Sequence, residues 1–96
     1  MKIGIAGLGL IGGSLGLDFR SLGHDVFGMS RRAETCQQAI ALGVVDYAST
    51  DLSLLAATEV VFLCTPLAAI KPTVLQLLPH LAPDTVLTDV GSVKAS

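Results

Sequence analysis

Three glycines near the amino terminus constrain this chain more than any other feature. Gly7, Gly9 and Gly12 form the pattern G-x-G-x-x-G directly after a short apolar run at residues 2–6. Such a run is typical of a buried strand, and helical spacing continues from the loop to Gly23, which has the place of a C-cap glycine. A strand, a glycine-rich turn and a helix in this order predict a site for phosphate groups.

Each glycine of this loop would have its own physical role. The first permits a tight turn, the second lets the backbone approach a pyrophosphate, and the third lets the helix pack against the strand. The phosphates would face the free N–H groups at the start of the helix. An ordinary structural turn is the alternative, but the complete context favours a dinucleotide. The expected contacts come from Gly7, Leu8, Gly9, Leu10, Ile11 and Gly12.

The rest of the chain alternates short apolar runs with helical stretches. We expect further strands at residues 25–29, 44–48, 59–64 and 85–89, and further helices at residues 32–42 and 68–81. Pro72 indicates that the last helix begins near it, because proline is tolerated best in a first turn. Residues 49–58 are too short and too polar at their start for a full crossover helix. The alternation predicts an α/β fold, a Rossmann-type doubly wound parallel sheet with five strands.

Composition excludes several other classes of protein. A length of 96 residues, of which 51% are hydrophobic and 15% charged, is typical of one globular domain. A net charge of -2 without blocks of like charge argues against a nucleic-acid partner, and no long uncharged apolar stretch suggests a membrane span. Cys36 and Cys64 lack C-x-x-C spacing, so we expect buried thiols in a reducing compartment such as the cytoplasm, and no metal site.

The residues after the second predicted strand indicate which dinucleotide would bind. NAD sites usually carry Asp or Glu there, which accepts hydrogen bonds from the ribose 2′-hydroxyl. This chain has Ser30, Arg31 and Arg32 instead. A hydroxyl and two guanidiniums suit a 2′-phosphate, which a carboxylate would repel. We therefore expect NADP, with Thr35 as a weaker contact. Solvated charges at a helix start are the alternative, although cations there oppose the helix dipole.

Ligands of doubly wound sheets lie across the carboxyl ends of the strands. Cys64-Thr65-Pro66 follows the fourth predicted strand, and Asp89-Val90-Gly91-Ser92 ends the fifth. Thr65 and Gly91 are therefore candidates for contacts to the nicotinamide half of the cofactor. A simple turn and a strand stop remain equally open for each of them alone.

Three segments together resemble the prephenate and arogenate dehydrogenase family of tyrosine biosynthesis, and especially its cyanobacterial NADP-dependent arogenate dehydrogenases. The segments are Gly7-Leu8-Gly9-Leu10-Ile11-Gly12-Gly13-Ser14, Cys64-Thr65-Pro66 and Asp89-Val90-Gly91-Ser92-Val93-Lys94. The resemblance implies that residues 1–96 are the NADP-binding domain. It also implies a helical C-terminal domain beyond them, which binds the substrate and forms a homodimer.

The resemblance further implies an oxidative decarboxylation, of arogenate to tyrosine or of prephenate to 4-hydroxyphenylpyruvate. In the family, a histidine takes the proton of the ring hydroxyl while C4 gives its hydride to the cofactor. That histidine would lie beyond residue 96, and Ser92 matches the family serine that orients it. The chain alone is therefore expected to be inactive. His24 and His80 are expected at the surface, away from the strand ends.

Two other functions remain open at this point. Another NADP-dependent Rossmann reductase, of the β-hydroxyacid dehydrogenase or pyrroline carboxylate reductase type, would share the glycine loop and the arginine. A non-enzymatic dinucleotide-sensing module would also bind a cofactor. Such sensors commonly carry an acidic ribose ligand, which Ser30-Arg31-Arg32 does not supply.

Overall fold

The computed structural model describes residues 1–8, 10–65 and 67–89, which build a five-stranded sheet flanked by helices. All strand pairs are parallel, and the order across the sheet is β3-β2-β1-β4-β5. The strand order reverses between β1 and β4, which is where a ligand crevice is expected. The strands are β1 (Lys2–Ala6), β2 (Asp25–Met29), β3 (Tyr47–Ser49), β4 (Val60–Leu63) and β5 (Val86–Asp89). The predicted Rossmann-type architecture is confirmed.

Three α-helices and two short 3-10 segments connect these strands. The helices are α1 (Leu10–Ser21), α2 (Ala33–Ala41) and α3 (Leu67–Leu77), and the 3-10 segments are Leu52–Ala57 and Leu78–His80. Gly23 and Gly43 follow α1 and α2 with φ of 90° and 73°. These left-handed glycines reverse the chain and lead it back to the sheet, as predicted for Gly23. No helix within the described ranges combines the length and apolar character that crossing a bilayer requires.

Three boundary predictions were wrong. The third strand begins at Tyr47 and not at residue 44. Val44 and Val45, whose apolar character suggested a strand, lie before it and are buried in the core beside α2. Pro72 does not mark the start of the last helix but lies inside α3, which begins at Leu67. In addition, the α-helix predicted to reach residue 81 ends at Leu77, and the 3-10 segment Leu78–His80 follows it.

The core consists of two apolar clusters. Neighbouring residues of β1 alternate between them, since Ile5 belongs to one cluster and Ala6 to the other. The first cluster contains Ile5, Leu8, Val26, Ala39, Val44 and Val45. The second contains Ala6, Met29, Leu55, Val61, Leu63 and Leu77. Because successive strand residues point to opposite faces, the central strand is buried on both sides of the sheet.

Close packing of α1 requires a glycine that the motif does not include. A Cβ added to Gly16 would overlap the carbonyl oxygen of Val44, so α1 lies against the segment before β3 at backbone distance. Close packing of the helix was expected at Gly12. Gly16 has that role toward the segment before β3, and no motif singled it out.

A polar network joins α1 to β2 at the ends of the strands remote from the crevice. The Nε of Arg20 donates to Oδ1 of Asp46 at 3.1 Å, and Oδ2 of Asp46 accepts from the backbone N–H of Val26 at 2.8 Å. Nη1 of Arg20 also donates to the carbonyl of Gly43 at 2.6 Å. One ion pair therefore fixes the return of the chain into β2 and the approach to β3.

The histidines and cysteines lie largely as predicted. His80 is exposed, whereas His24 is half-buried with its ring 6.2 Å from that of Phe19. Cys36 is buried, but Cys64 is only half-buried because it borders the crevice. Within the described ranges, no three His, Cys, Asp or Glu side chains group to hold a metal ion.

Candidate functional site

A cleft of about 610 Å³ opens at the carboxyl ends of β1 to β4. This volume lies within the range of roughly 300 to 1,000 Å³ that small-molecule sites occupy. Eight of the residues expected to bind the dinucleotide line it: Gly7, Leu8, Ser30, Arg31, Arg32, Thr35, Cys64 and Thr65. The fold thus brings together segments that are far apart in sequence.

The glycine loop leaves β1 through a backbone conformation that a side chain would disturb. Gly7 has a φ of 102°, and its N–H donates to the carbonyl of Met29 at 2.8 Å. A Cβ at this position would lie 3.1 Å from both the carbonyl carbon of Cys64 and Cγ2 of Thr65. The tight turn expected of Gly7 is therefore present, and it lets the loop pass directly over the end of β4.

The next residue anchors the loop in the core. Leu8 is buried and packs over Gly28, where an added Cβ would lie 2.7 Å from Cδ2 of Leu8. Leu10, Ile11 and Gly12 form the first turn of α1. Gly9 lies outside the described residues. The free N–H groups of the first turn of α1 follow directly on the loop, as a phosphate site requires.

The end of β2 supplies the positive charge of the cleft. Oγ of Ser30 accepts from the backbone N–H of Arg32 at 3.3 Å, and Sγ of Cys36 donates to the carbonyl of Ser30 at 3.9 Å. Arg31 and Arg32 are exposed, and Arg32 is the N-cap residue of α2 without a side-chain cap bond. Among the described residues, Arg20 makes an ion pair with a carboxylate, whereas neither Arg31 nor Arg32 does. Both arginines therefore line the cleft without an ion pair among the described residues.

The end of β4 adds a buried hydroxyl. The backbone N–H of Cys64 donates to Ala6 at 2.9 Å, which continues the β1–β4 ladder into the loop. Oγ1 of Thr65 is buried and has no hydrogen-bond partner among the described residues. Leaving such a group unpaired costs about 1 to 3 kcal/mol. Pro66, Gly91 and Ser92, which were also expected at this site, lie outside the described residues.

Sequence reasoning missed two further walls of the cleft. Thr50 and Leu52 follow β3 just as Ser30 follows β2. The predicted third strand ended at residue 48, one residue before the observed end, but the residues after it were not among the predicted contacts. Ala69, Thr73 and Gln76 lie on one face of α3 and border the cleft as well. Their spacing of four and three residues is a helical signal, but the sequence does not tell which face of a helix meets the cleft. Met29 completes the lining.

The charge of the cleft is one-sided. Its described lining residues include two arginines and no aspartate or glutamate. Asp51 lies between the lining residues Thr50 and Leu52 in sequence, and its Oδ1 accepts from the N–H of Ser53 at 3.0 Å. This hydrogen bond lowers the pKa of Asp51 and caps the 3-10 segment. The arrangement can bind an elongated anionic ligand along the glycine loop and the end of β2.

Comparison with known proteins gives this geometry a context. Residues 15–96 match the family described as prephenate dehydrogenase, nucleotide-binding domain. The structure of Synechocystis arogenate dehydrogenase is 51% identical, with a TM-score of 0.92 over 94% of this chain. Prephenate dehydrogenase from A. aeolicus, solved with hydroxyphenyl propionate and NAD+, is 25% identical, with a TM-score of 0.85 over 93% of the chain.

A more distant protein shares only the fold. The 3-hydroxyisobutyrate dehydrogenase of Mycobacterium tuberculosis is 23% identical over 92% of the chain, with a TM-score of 0.81. The chain covers 32% of each of the two dehydrogenases above and 30% of this protein, so it spans about a third of their length. The family match covers residues 15–96, which is most of the chain and includes the residues that follow β2, β3, β4 and β5. This chain belongs to the prephenate dehydrogenase family, whose nucleotide-binding domain it matches.

Proposed function

We propose that this chain is the NADP-binding domain of an arogenate dehydrogenase. The observation that carries the proposal is the end of β2, where Ser30, Arg31 and Arg32 border a cleft with no acidic residue in its described lining. A 2′-phosphate would supply a negative charge that pairs with the two guanidiniums. The ribose of NAD would bring only a hydroxyl, for which a carboxylate is the usual acceptor.

The remaining contacts follow from the path of the ligand across the strand ends. The pyrophosphate lies on the loop formed by Gly7, Leu8 and Gly9, against the first turn of α1 at Leu10, Ile11 and Gly12. Ser30, Arg31, Arg32 and Thr35 hold the 2′-phosphate through charge-assisted hydrogen bonds. Cys64, Thr65, Pro66 and Gly91 border the nicotinamide half, and the unpaired hydroxyl of Thr65 supports a polar contact on that side.

The reaction requires more than the cofactor site. The cofactor accepts a hydride from the substrate when it is bound. This chain orients it and excludes water along the cleft, and Ser92 positions a histidine base that follows residue 96. The substrate-binding and dimer-forming part of the enzyme also lies beyond residue 96. The 51% identity to Synechocystis arogenate dehydrogenase supports arogenate as the substrate. The prephenate dehydrogenase of A. aeolicus supports prephenate as the second candidate.

Replacing Arg31 with alanine tests the proposed cofactor. We expect Arg31→Ala to weaken NADP binding by about 1 to 3 kcal/mol, the scale of a charged hydrogen bond, and to leave NAD binding nearly unchanged. Dissociation constants for both cofactors, measured by calorimetry on the 96-residue chain, check this. Lys71→Ala is the matched control, because it removes an exposed positive charge of α3 that does not line the cleft. Equal losses for both cofactors in Arg31→Ala would contradict the proposal.

A further inference from the structure

Gly28 leaves a recess in one face of the sheet, beneath the glycine loop. It is a buried residue of β2, in register with Ile5 of β1 and Ala48 of β3. Ile5 belongs to the first core cluster and Ala48 packs against it, so both side chains lie on the same face. A glycine inside a strand weakens that strand and often marks a place where another part of the molecule approaches closely.

Leu8 of the glycine loop fills this recess. A Cβ added to Gly28 would lie 2.7 and 2.8 Å from the two δ-methyl carbons of Leu8, and 3.0 Å from Cγ1 of Val45. Carbon atoms in ordinary contact are about 3.5 to 4.0 Å apart, so a side chain at residue 28 would displace Leu8 by about 1 Å. Val45 is also buried and leaves Leu8 little room to turn aside.

The position of Leu8 affects the cleft because this residue belongs to the core and to the cleft at once. Of the six buried residues that the structure describes in the first core cluster, only Leu8 is part of the described cleft lining. Its neighbour Gly7 donates its N–H to the carbonyl of Met29 at 2.8 Å. The loop is therefore held on two consecutive residues of β2, and a displaced Leu8 side chain would move the loop backbone.

We propose that Gly28 is a positioning residue for the dinucleotide. Through Leu8 it sets how deeply the glycine loop lies over the sheet, and thereby the position of the backbone that faces the pyrophosphate. Gly28 is not among the described lining residues, so it acts through Leu8 and not by contact with the ligand. The inference rests on the proposed function of the cleft. The pyrophosphate is common to NAD and NADP, so the role of Gly28 does not depend on which of them binds.

Gly28→Ala tests the proposal on the 96-residue chain, with dissociation constants for NADP and NAD measured by calorimetry. We expect both affinities to fall by the same factor of about ten, the scale of one lost hydrogen bond to a charged group. The displaced loop would misplace its backbone donors, and a site that is about 1 Å too loose loses its preorganisation.

Gly4→Ala is the matched control for the cost of crowding a buried strand glycine. A Cβ at Gly4 of β1 would lie 2.9 Å from Cδ2 of Leu55 and 3.1 Å from Cγ2 of Val61, and neither residue lines the cleft. Gly4→Ala should therefore lower the urea midpoint of unfolding, as Gly28→Ala does, but leave both dissociation constants unchanged. A purely structural role of Gly28 would give the same result in both variants.

A double-variant cycle with Leu8→Ala identifies the route of the effect. Leu8→Ala empties the recess, so adding Gly28→Ala to it should change the affinities by no more than about twofold. Leu8→Ala alone should weaken NADP and NAD alike, and this measurement remains if Gly28→Ala does not fold. The proposal is overturned if Leu8→Ala binds both cofactors as the wild-type chain does, or if Gly28→Ala costs as much affinity with Ala at residue 8 as with Leu.

The same titrations separate this inference from the choice of cofactor. A loss confined to NADP in Gly28→Ala would locate the effect at the 2′-phosphate and overturn the role of the loop. Equal losses of NADP and NAD in Arg31→Ala would contradict the NADP assignment alone. A wild-type chain that binds neither dinucleotide would overturn both proposals.

Discussion

At the scale of single residues, the site depends on backbone conformations as much as on side chains. Gly7 has a φ of 102°, which L-residues with a Cβ rarely adopt, and it has no room for a side chain beside Cys64 and Thr65. Gly7 and Leu8 of the same loop line the cleft. Strain at this position would therefore affect folding and phosphate binding together.

Gly7→Ala is expected to destabilise the fold by about 1 to 3 kcal/mol, because it combines a strained φ with contacts of 3.1 Å. Dinucleotide affinity should fall with it. Gly13→Ala is the matched control, since a Cβ at Gly13 in α1 meets nothing within 4 Å and alanine favours a helix. Urea unfolding and cofactor titration of both variants check the prediction. Similar unfolding midpoints for the two would show that the turn does not require glycine.

At the scale of elements, the cleft and the hydrogen-bond network of Arg20 and Asp46 lie at opposite ends of the strands. The carboxyl ends of β1 to β4 border the cleft. At the amino end of β2, hydrogen bonds of Asp46 to Arg20 and Val26 connect α1, β2 and the segment before β3. The network satisfies a backbone N–H that would otherwise lack an acceptor. Its loss should therefore lower stability without changing the geometry of the cleft.

Asp46→Asn is expected to lower the free energy of unfolding by about 1 kcal/mol, because the amide keeps only one of the two acceptor oxygens and removes the charge of a partly exposed ion pair. NADP affinity should stay within about twofold of the wild-type value, since the change lies remote from the cleft. Asp84→Asn, an exposed aspartate in the turn before β5, serves as the control for loss of charge. A large fall in NADP affinity in Asp46→Asn, at temperatures where it remains folded, would contradict this separation of roles.

At the scale of the whole molecule, the sheet forms a cleft, and the described lining of that cleft contains no histidine, aspartate or glutamate. His80 is exposed on the second 3-10 segment, His24 precedes β2, and neither lines the cleft. The relatives of known structure are about three times as long as this chain. Cofactor binding and turnover should therefore be separable properties.

Residues 1–96 alone are expected to bind NADP and yet to oxidise neither arogenate nor prephenate, because the proposed histidine base and substrate domain lie beyond Ser96. NADPH formation, followed by absorbance, and calorimetric binding on the same preparation test the two halves of this statement. Turnover by the 96-residue chain would show that the base lies within it. Failure to bind any dinucleotide would refute the proposed cofactor role.

The sequence by itself determined the features that depend on local backbone requirements and on strand order. Gly7, the alternation of strands and helices, and the meeting of Leu8, Ser30 and Thr65 at one edge follow from glycine conformation and from the rule that parallel strands end together. For the same reason, the sequence predicted most of the described cleft-lining residues that follow β1, β2 and β4.

Only the tertiary structure decided which surfaces complete the cleft. Val44 and Val45 have the apolar character of a strand but owe it to burial beside α2, so the predicted start of β3 was three residues too early. Thr50 and Leu52 line the cleft because the fold brings the end of β3 to it. Gln76 and Thr73 reach the cleft because Leu77 and its neighbours fix the rotation of α3 on the sheet. A helix has the same sequence whichever way it is turned, and its rotation is set by long-range packing, so this wall could be seen only in the folded chain.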